Sequence, residues 1–167
     1  EGSVQKKGDG LRITAQLIDT RTNLHIWAGG FDGSDASALQ EEAGLKIAVA
    51  LGDENGQIRQ HEYKRTQGKP RAEFDAYDWY LSGHEVFEGY ESLEALDRAG
   101  AIWREGLEKF PDSALLRISL AWAHFWRPRD FDTPKPAADY RRAAELVREA
   151  MALPNLTPFE RWHGTSL

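Results

Sequence analysis

Residues 75–111, DAYDWYLSGHEVFEGYESLEALDRAGAIWREGLEKFP, decide the fold. Trp79 and Gly83 stand four apart, one helical turn, and so share a face. Ala99, Trp103 and Gly106 repeat that kind of spacing further on, and Pro111 supplies a stop. The small residues Gly83 and Ala99 let two helices approach closely, and Trp103 fills the gap beside them. The stretch therefore predicts a helical hairpin, with helices over about 73–89 and 93–110.

Towards the C-terminus the pattern stays helical. Pro111-Asp112-Ser113 ends the hairpin and caps a helix expected over 114–126. Residues 127–136 contain three prolines and read as a loop before a helix over 137–153. Thr157-Pro158-Phe159-Glu160 has the form of a capping box with proline in the first turn, so a fifth helix is expected to start there. Residues 76–111 and 114–155 look like two copies of one unit. Leu120-Ala121 matches Leu81 to Gly83, and Ala143, Val147 and Ala150 match Ala99, Trp103 and Gly106.

Towards the N-terminus the period changes to two. Val4, then Leu11, Ile13, Ala15 and Leu17, then Leu24, Ile26 and Ala28 alternate with Arg12, Thr14, Gln16, His25 and Trp27. Such alternation predicts strands with the first set buried and the second outward. Gly8-Asp9-Gly10 and Thr20 to Asn23 are short turns, so the strands form an antiparallel meander. Asp35 or Ser37 caps a helix to about Leu51, whose stripe of Ala38, Leu39, Ala43, Ile47, Ala48 and Leu51 faces the sheet. Gly52 to Gly56 stops it, 57–65 is a short polar helix, and 66–71 reads as a linker. The expected class is α+β: a short antiparallel β-meander with a packed helix over 1–65, then an all-α array of helical hairpins over 72–167, with 158–167 starting a capping helix.

Three strands and one helix make a thin core, marginal on its own, with unpaired outer strands. The N-terminal unit is expected to lean on the helical part, on a preceding segment or on a second copy of the chain. Its opening at Glu1, inside a strand, suggests a fragment of a longer protein.

The 167 residues carry a net charge of −6, which argues against a phosphate-binding surface, so no nucleic-acid partner is expected. The absence of cysteine removes disulfide and thiolate chemistry and leaves cytoplasm and periplasm both open. No apolar run is long enough for a bilayer, so no membrane insertion by these residues is expected.

No catalytic residue, metal site or cofactor is nominated. His84-Glu85-Val86-Phe87-Glu88 approaches the HExxH zinc motif with glutamate in place of the second histidine. His84 and Glu88 share a helix face, but spacing names no third ligand, so a small metal-dependent hydrolase is a weak alternative. Gly8-Asp9-Gly10 precedes a strand, not a helix, and is a hairpin turn instead of a phosphate cradle.

The paired units over 76–111 and 114–155 resemble a tetratricopeptide repeat pair. The first has about four extra residues between its helices, and the second has a longer loop and Pro154-Asn155 at its end. EGSVQKKGDGLRITAQLIDTRTNLHIWAGGFDG with ALQEEAGLKIAVAL is similar to the last part of a TolB N-terminal-like domain. That domain precedes such repeats in bacterial adenylate/guanylate cyclase-like proteins and in some winged-helix transcription regulators. The departure is GGFDG, where such proteins usually place a charged pair before the aromatic residue; this bears on surface contacts at that point, not on the fold.

The resemblance implies a non-catalytic regulatory module of a signalling protein, its cyclase or DNA-binding domain lying upstream. It also implies that the first helix of each repeat lines a concave groove. The groove positions would be Tyr77, Tyr80, His84, Phe87 and Glu88, then Leu115, Ile118, Trp122, Phe125 and Trp126. Those rings suit an apolar or proline-rich protein or peptide partner, or a second copy of the chain. The other reading is that these rings are simply core, or are covered by the 35–51 helix or by a partner subunit.

Overall fold

Short turns and alternating side chains produce three antiparallel strands in the computed structural model, which describes residues 1–20, 22–52 and 56–167. The strands are β1 (Gly2–Lys7), β2 (Gly10–Asp19) and β3 (Leu24–Gly33), in sheet order β1-β2-β3. Gly8 takes a positive φ of 60° in the first turn and Asn23 one of 56° in the second. Arg21 lies outside the described residues, as does most of the expected stop at 52–56.

Helix α1 (Ala36–Gly52) is capped by Asp35, whose carboxylate accepts from the Ala38 amide at 2.8 Å. Leu39 and Ala43 of α1 pack on Phe31, with Leu11, Ile13, Trp27 and Ile47 around them. The inward position of Trp27 corrects the alternation expected for β3. Leu17 pairs with Trp27 but Ile18 pairs with His25, so a bulge at Ile26 shifts the strand by one residue. Beyond it, Trp27, Gly29 and Phe31 share a face with Leu17, Ala15 and Ile13, while Ala28 lies exposed beside Gln16. Val4 is the second correction: at the sheet edge it remains 66 % exposed. Helix α2 (Gln57–Gln67) ties back to the sheet through His61, 3.1 Å from Asp19 on β2.

The chain divides into two compact units, Glu1–Lys64 and Arg65–Leu167. The second holds α3 (Ala76–Glu88), α4 (Leu93–Lys109), α5 (Ala114–Asp130), α6 (Pro136–Met151) and α7 (Pro158–Thr165), after a 3-10 turn at Arg71–Glu73. Together the strands and helices make an α+β fold in which a three-stranded antiparallel sheet precedes a helical array. Of these helices, α4, α5 and α7 start at a side-chain cap, as α3 does at Asp75, whereas α6 follows Lys135, which makes no cap bond. Ser92 accepts from Ala95, Ser113 from Leu116, and Thr157 forms a reciprocal capping box with Glu160.

Close packing of α3 on α4 rests on two reciprocal tryptophan–glycine contacts. A methyl at Gly83 would overlap the Trp103 indole, and one at Gly106 would come within 2.8 Å of Trp79 Cβ. Trp103 Nε1 donates to the Tyr80 carbonyl at 3.1 Å, so the ring is both packed and hydrogen-bonded. Helix α5 touches α3, α4, α6 and α7 and is the spine of the unit. It also runs four residues past the expected end, through Pro128. In the last turn a proline removes only one backbone bond, and the Phe131 amide still closes on the Arg127 carbonyl at 3.1 Å.

Residues 66–71, read as a linker, are tied into the second unit. Thr66 and Gln67 finish α2, and Thr66 is buried. Thr66 Oγ1 donates to Asp78 at 3.2 Å, Arg65 lies 3.1 Å from the same carboxylate, and Lys69 donates to its other oxygen.

Candidate functional site

The first turn of α3 is fixed before any ring is placed. Asp75 accepts from the Asp78 amide at 2.9 Å, and Asp78 accepts from the Asp75 amide at 3.0 Å. Burial pushes the Asp78 carboxyl pKa up. The Lys69 hydrogen bond, the Asp75 amide, and the charges of Arg65 and Lys69 outweigh that and hold it below the usual carboxylate range.

From that turn, rings follow one another along α3. Tyr77 stacks on Tyr80 at 5.7 Å between centroids, Tyr80 meets His84 at 5.1 Å, and His84 meets Phe87 at 6.2 Å. The i, i+3 and i, i+4 steps keep all four on one face. On α5, Trp122 stacks on Trp126 at 6.2 Å, and Phe125 sets its edge on both. The two rows are joined by Tyr90, just past the end of α3. Its ring lies 5.5 Å from Phe87 and 6.4 Å from Trp126. Beyond Trp122 the series runs onto α7, with His163 at 5.6 Å and then Phe159 stacked on His163 at 5.3 Å. The result is one continuous aromatic track across α3, α5 and α7.

The ten sequence-nominated positions do not stand equally on it. Tyr77 and Glu88 are exposed; His84, Phe87, Leu115, Trp122, Phe125 and Trp126 are half-buried; Tyr80 and Ile118 are buried. Ile118 packs with Ala114, Ala150 and Leu156 and belongs to the core. Tyr90, Phe131, Phe159 and His163 were not nominated. Tyr90 and Phe131 fall in segments read as loops, although the spacing of three from Phe87 to Tyr90 continues the α3 row.

His84 Nδ1 lies 3.3 Å from Glu88 Oε1, one helical turn on. Among the described residues no group of three or more His, Cys, Asp or Glu side chains is placed to hold a metal ion. Behind the α5 row, Arg127 pairs with both Asp97 on α4 and Asp139 on α6, and Asp139 lies 2.9 Å from His124. This network pins three helices and fixes the end of α5 beside Tyr90.

The Tyr90 hydroxyl donates to Asp130. Burial first, and then the bond to and charge of Asp130, push its pKa up to about 12. The protonated form is the favoured one in the fold, so its contribution is complete below the ordinary phenol value of about 10 and is lost as pH rises towards 12. Alkaline titration of tyrosinate absorbance is expected to show a transition near pH 12 that disappears in Tyr90→Phe. Persistence of that transition in the variant would reject the assignment. His163 stacks against Trp122 and Phe159, and burial lowers its pKa from the ordinary imidazole value.

Among the described residues no helix is long and apolar enough to cross a membrane. No family model matches the sequence, and no solved structure matches it significantly. The chain is similar to the protein named "Putative adenylate cyclase 3" of Rhizobium meliloti (strain 1021), at 28% identity over 123 residues. The match takes in 72% of this chain and 20% of that protein, so the chain spans about one fifth of its relative's length.

Proposed function

We propose that the chain is a protein-interaction module within a bacterial cyclase-like signalling protein, and that it binds an extended partner segment and carries out no chemistry itself. In this reading residues 1–65 are the tail of a TolB N-terminal-like domain, and α3–α4 and α5–α6 are two irregular tetratricopeptide-like repeats. The observation that carries it is the continuous aromatic track. Rings on the first helix of each hairpin follow one another in contact, most of them half-buried, which suits an apolar or proline-rich segment anchored by a few large side chains. The contact of α5 with both α3 and α4 supports the repeat reading, and the similarity to a named cyclase supports the signalling context.

The test is a peptide-display selection on the purified chain, with binding of the selected peptides measured by titration. Trp122→Ala and Phe125→Ala are each expected to weaken binding about tenfold or more while leaving far-UV helicity largely intact. If both variants instead unfold the chain, those rings are core and the groove reading fails.

A further inference from the structure

Every residue of β1 is exposed. The strand stands at the end of the order β1-β2-β3, and among the described residues only β2 pairs with it. Its hydrogen-bonding phase follows from its first pair, because Glu1 and Gln16 exchange both backbone bonds, at 2.9 and 2.8 Å. Alternation along an antiparallel pair then turns the amides and carbonyls of Ser3, Gln5 and Lys7 towards β2, and those of Gly2, Val4 and Lys6 outward. Such outward groups are a template for another strand. The side chains add a second observation. Val4 pairs with Ile13 and so lies on the face that α1 packs against, but α1 reaches only β2 and β3, which leaves Val4 66% exposed. On the opposite face the charge is uneven. Lys7 and Arg12 share the single carboxylate of Asp32, at 3.2 and 3.4 Å. At the other end the Glu1 carboxylate meets only the neutral Gln16 amide, at 3.2 Å, while the α-ammonium turns inward to the Gln16 carbonyl.

We infer that β1 pairs antiparallel with β1 of a second copy, about a two-fold axis at Val4, joining the two three-stranded sheets into one. In this register Gly2 stands opposite the partner's Lys6, Val4 opposite the partner's Val4, and Glu1 opposite the partner's Lys7. Outward groups then meet outward groups along the whole strand. Slipping the pairing by one residue sets outward groups against inward ones. Slipping it by two shortens the overlap and separates Glu1 from the partner's Lys7. The register also lays one exposed valine beside the other, and Gly2 leaves room for the stem of the partner's Lys6. Lys7 can turn to the partner's Glu1 because Arg12 remains on Asp32. The surface involved is small, so the dimer belongs to the weak, transient class.

The test is sedimentation of the full chain from about 10 μM to about 1 mM, with amide exchange followed by NMR over the same range. Reversible dimerisation is expected. The Val4 and Lys6 amides should gain about tenfold protection as concentration rises, whereas those of Ser3, Gln5 and Lys7, already bonded to β2, should change little. Val4→Pro removes an amide that faces away from β2, so it should abolish the dimer and leave the far-UV circular dichroism unchanged.

A charge swap tests the register itself. Glu1→Lys and Lys7→Glu each set like charges opposite one another and are expected to weaken self-association about fivefold. Mixing the two variants restores unlike charges at both ends and is expected to recover wild-type association. A monomer at every concentration overturns the pairing. So does a dimer that persists in Val4→Pro, or one in which the Val4 and Lys6 amides gain no protection. A mixture that associates no more tightly than its two components overturns the register. All of these outcomes leave the aromatic-track reading standing, since it rests on other residues.

Discussion

Asp78→Ala is expected to destabilise the helical unit by about 3–5 kcal/mol, the scale for breaking a buried charge pair by deleting one partner. The side chain is fully buried, and its two oxygens accept from Thr66, Lys69 and the Asp75 amide, with Arg65 beside them. Removing the carboxylate leaves two cations facing an interior void and opens the capping box at the start of α3. It also releases the end of α2 and residues 66–71. Urea denaturation followed by far-UV circular dichroism measures the loss. Because the folded-state pKa of Asp78 is lowered, its contribution is complete above the ordinary carboxylate value and is lost as pH falls through the lower, folded value. Wild-type stability should therefore fall on acidification more steeply than that of Asp78→Asn. A substitution cost below about 1 kcal/mol, the scale of an exposed pair, would show that the cluster is solvated and not a clamp.

Much of the fold was legible because its signals are local. Spacing of small and large residues located α3 and α4, and a serine, threonine or aspartate marks the start of most helices. What escaped the sequence was set by contacts between elements. The bulge at Ile26, which turns Trp27 inward, depends on how β3 registers with β2, and alternation within one strand does not carry that information. The three-proline stretch suggested a loop from residue 127. Yet Pro128 costs α5 a single bond, while Arg127 is anchored by Asp97 on one side and Asp139 on the other. The same extension places Arg129, Asp130 and Phe131 beside Tyr90. The nominated site was thus half visible: the rings on α3 and α5 follow helical spacing, but the residues that join the two rows lie outside the predicted helices. Ile118 shows the opposite limit. Repeat spacing puts it among the expected groove positions, yet it is buried in the core, its Cδ1 3.4 Å from where a Cβ on Gly164 of α7 would lie.

Trp103→Ala is expected to cost about 3–5 kcal/mol, the range for truncating a large buried aromatic. Trp103 is 1% exposed, lies against Gly83, meets Phe87 at 5.5 Å and donates its indole proton to the Tyr80 carbonyl. The loss therefore combines a cavity, an aromatic contact and the indole hydrogen bond to the Tyr80 carbonyl. It should also disturb the track, because Phe87 is the ring between His84 and Tyr90. The glycine opposite supplies an independent check on the cause. In an exposed helix, glycine to alanine is worth about 1 kcal/mol of stabilisation. At Gly83 the added methyl would fall inside the Trp103 ring, so the overpacking cost of about 1–3 kcal/mol should outweigh that gain. The two sites must then couple. Adding Gly83→Ala to Trp103→Ala should cost far less than adding it to the wild type, and should approach the ordinary helical benefit, since the ring it would strike is gone. Additive losses in this double-mutant cycle would mean that the indole does not occupy the space above Gly83, and the packing argument for the hairpin would fall with it.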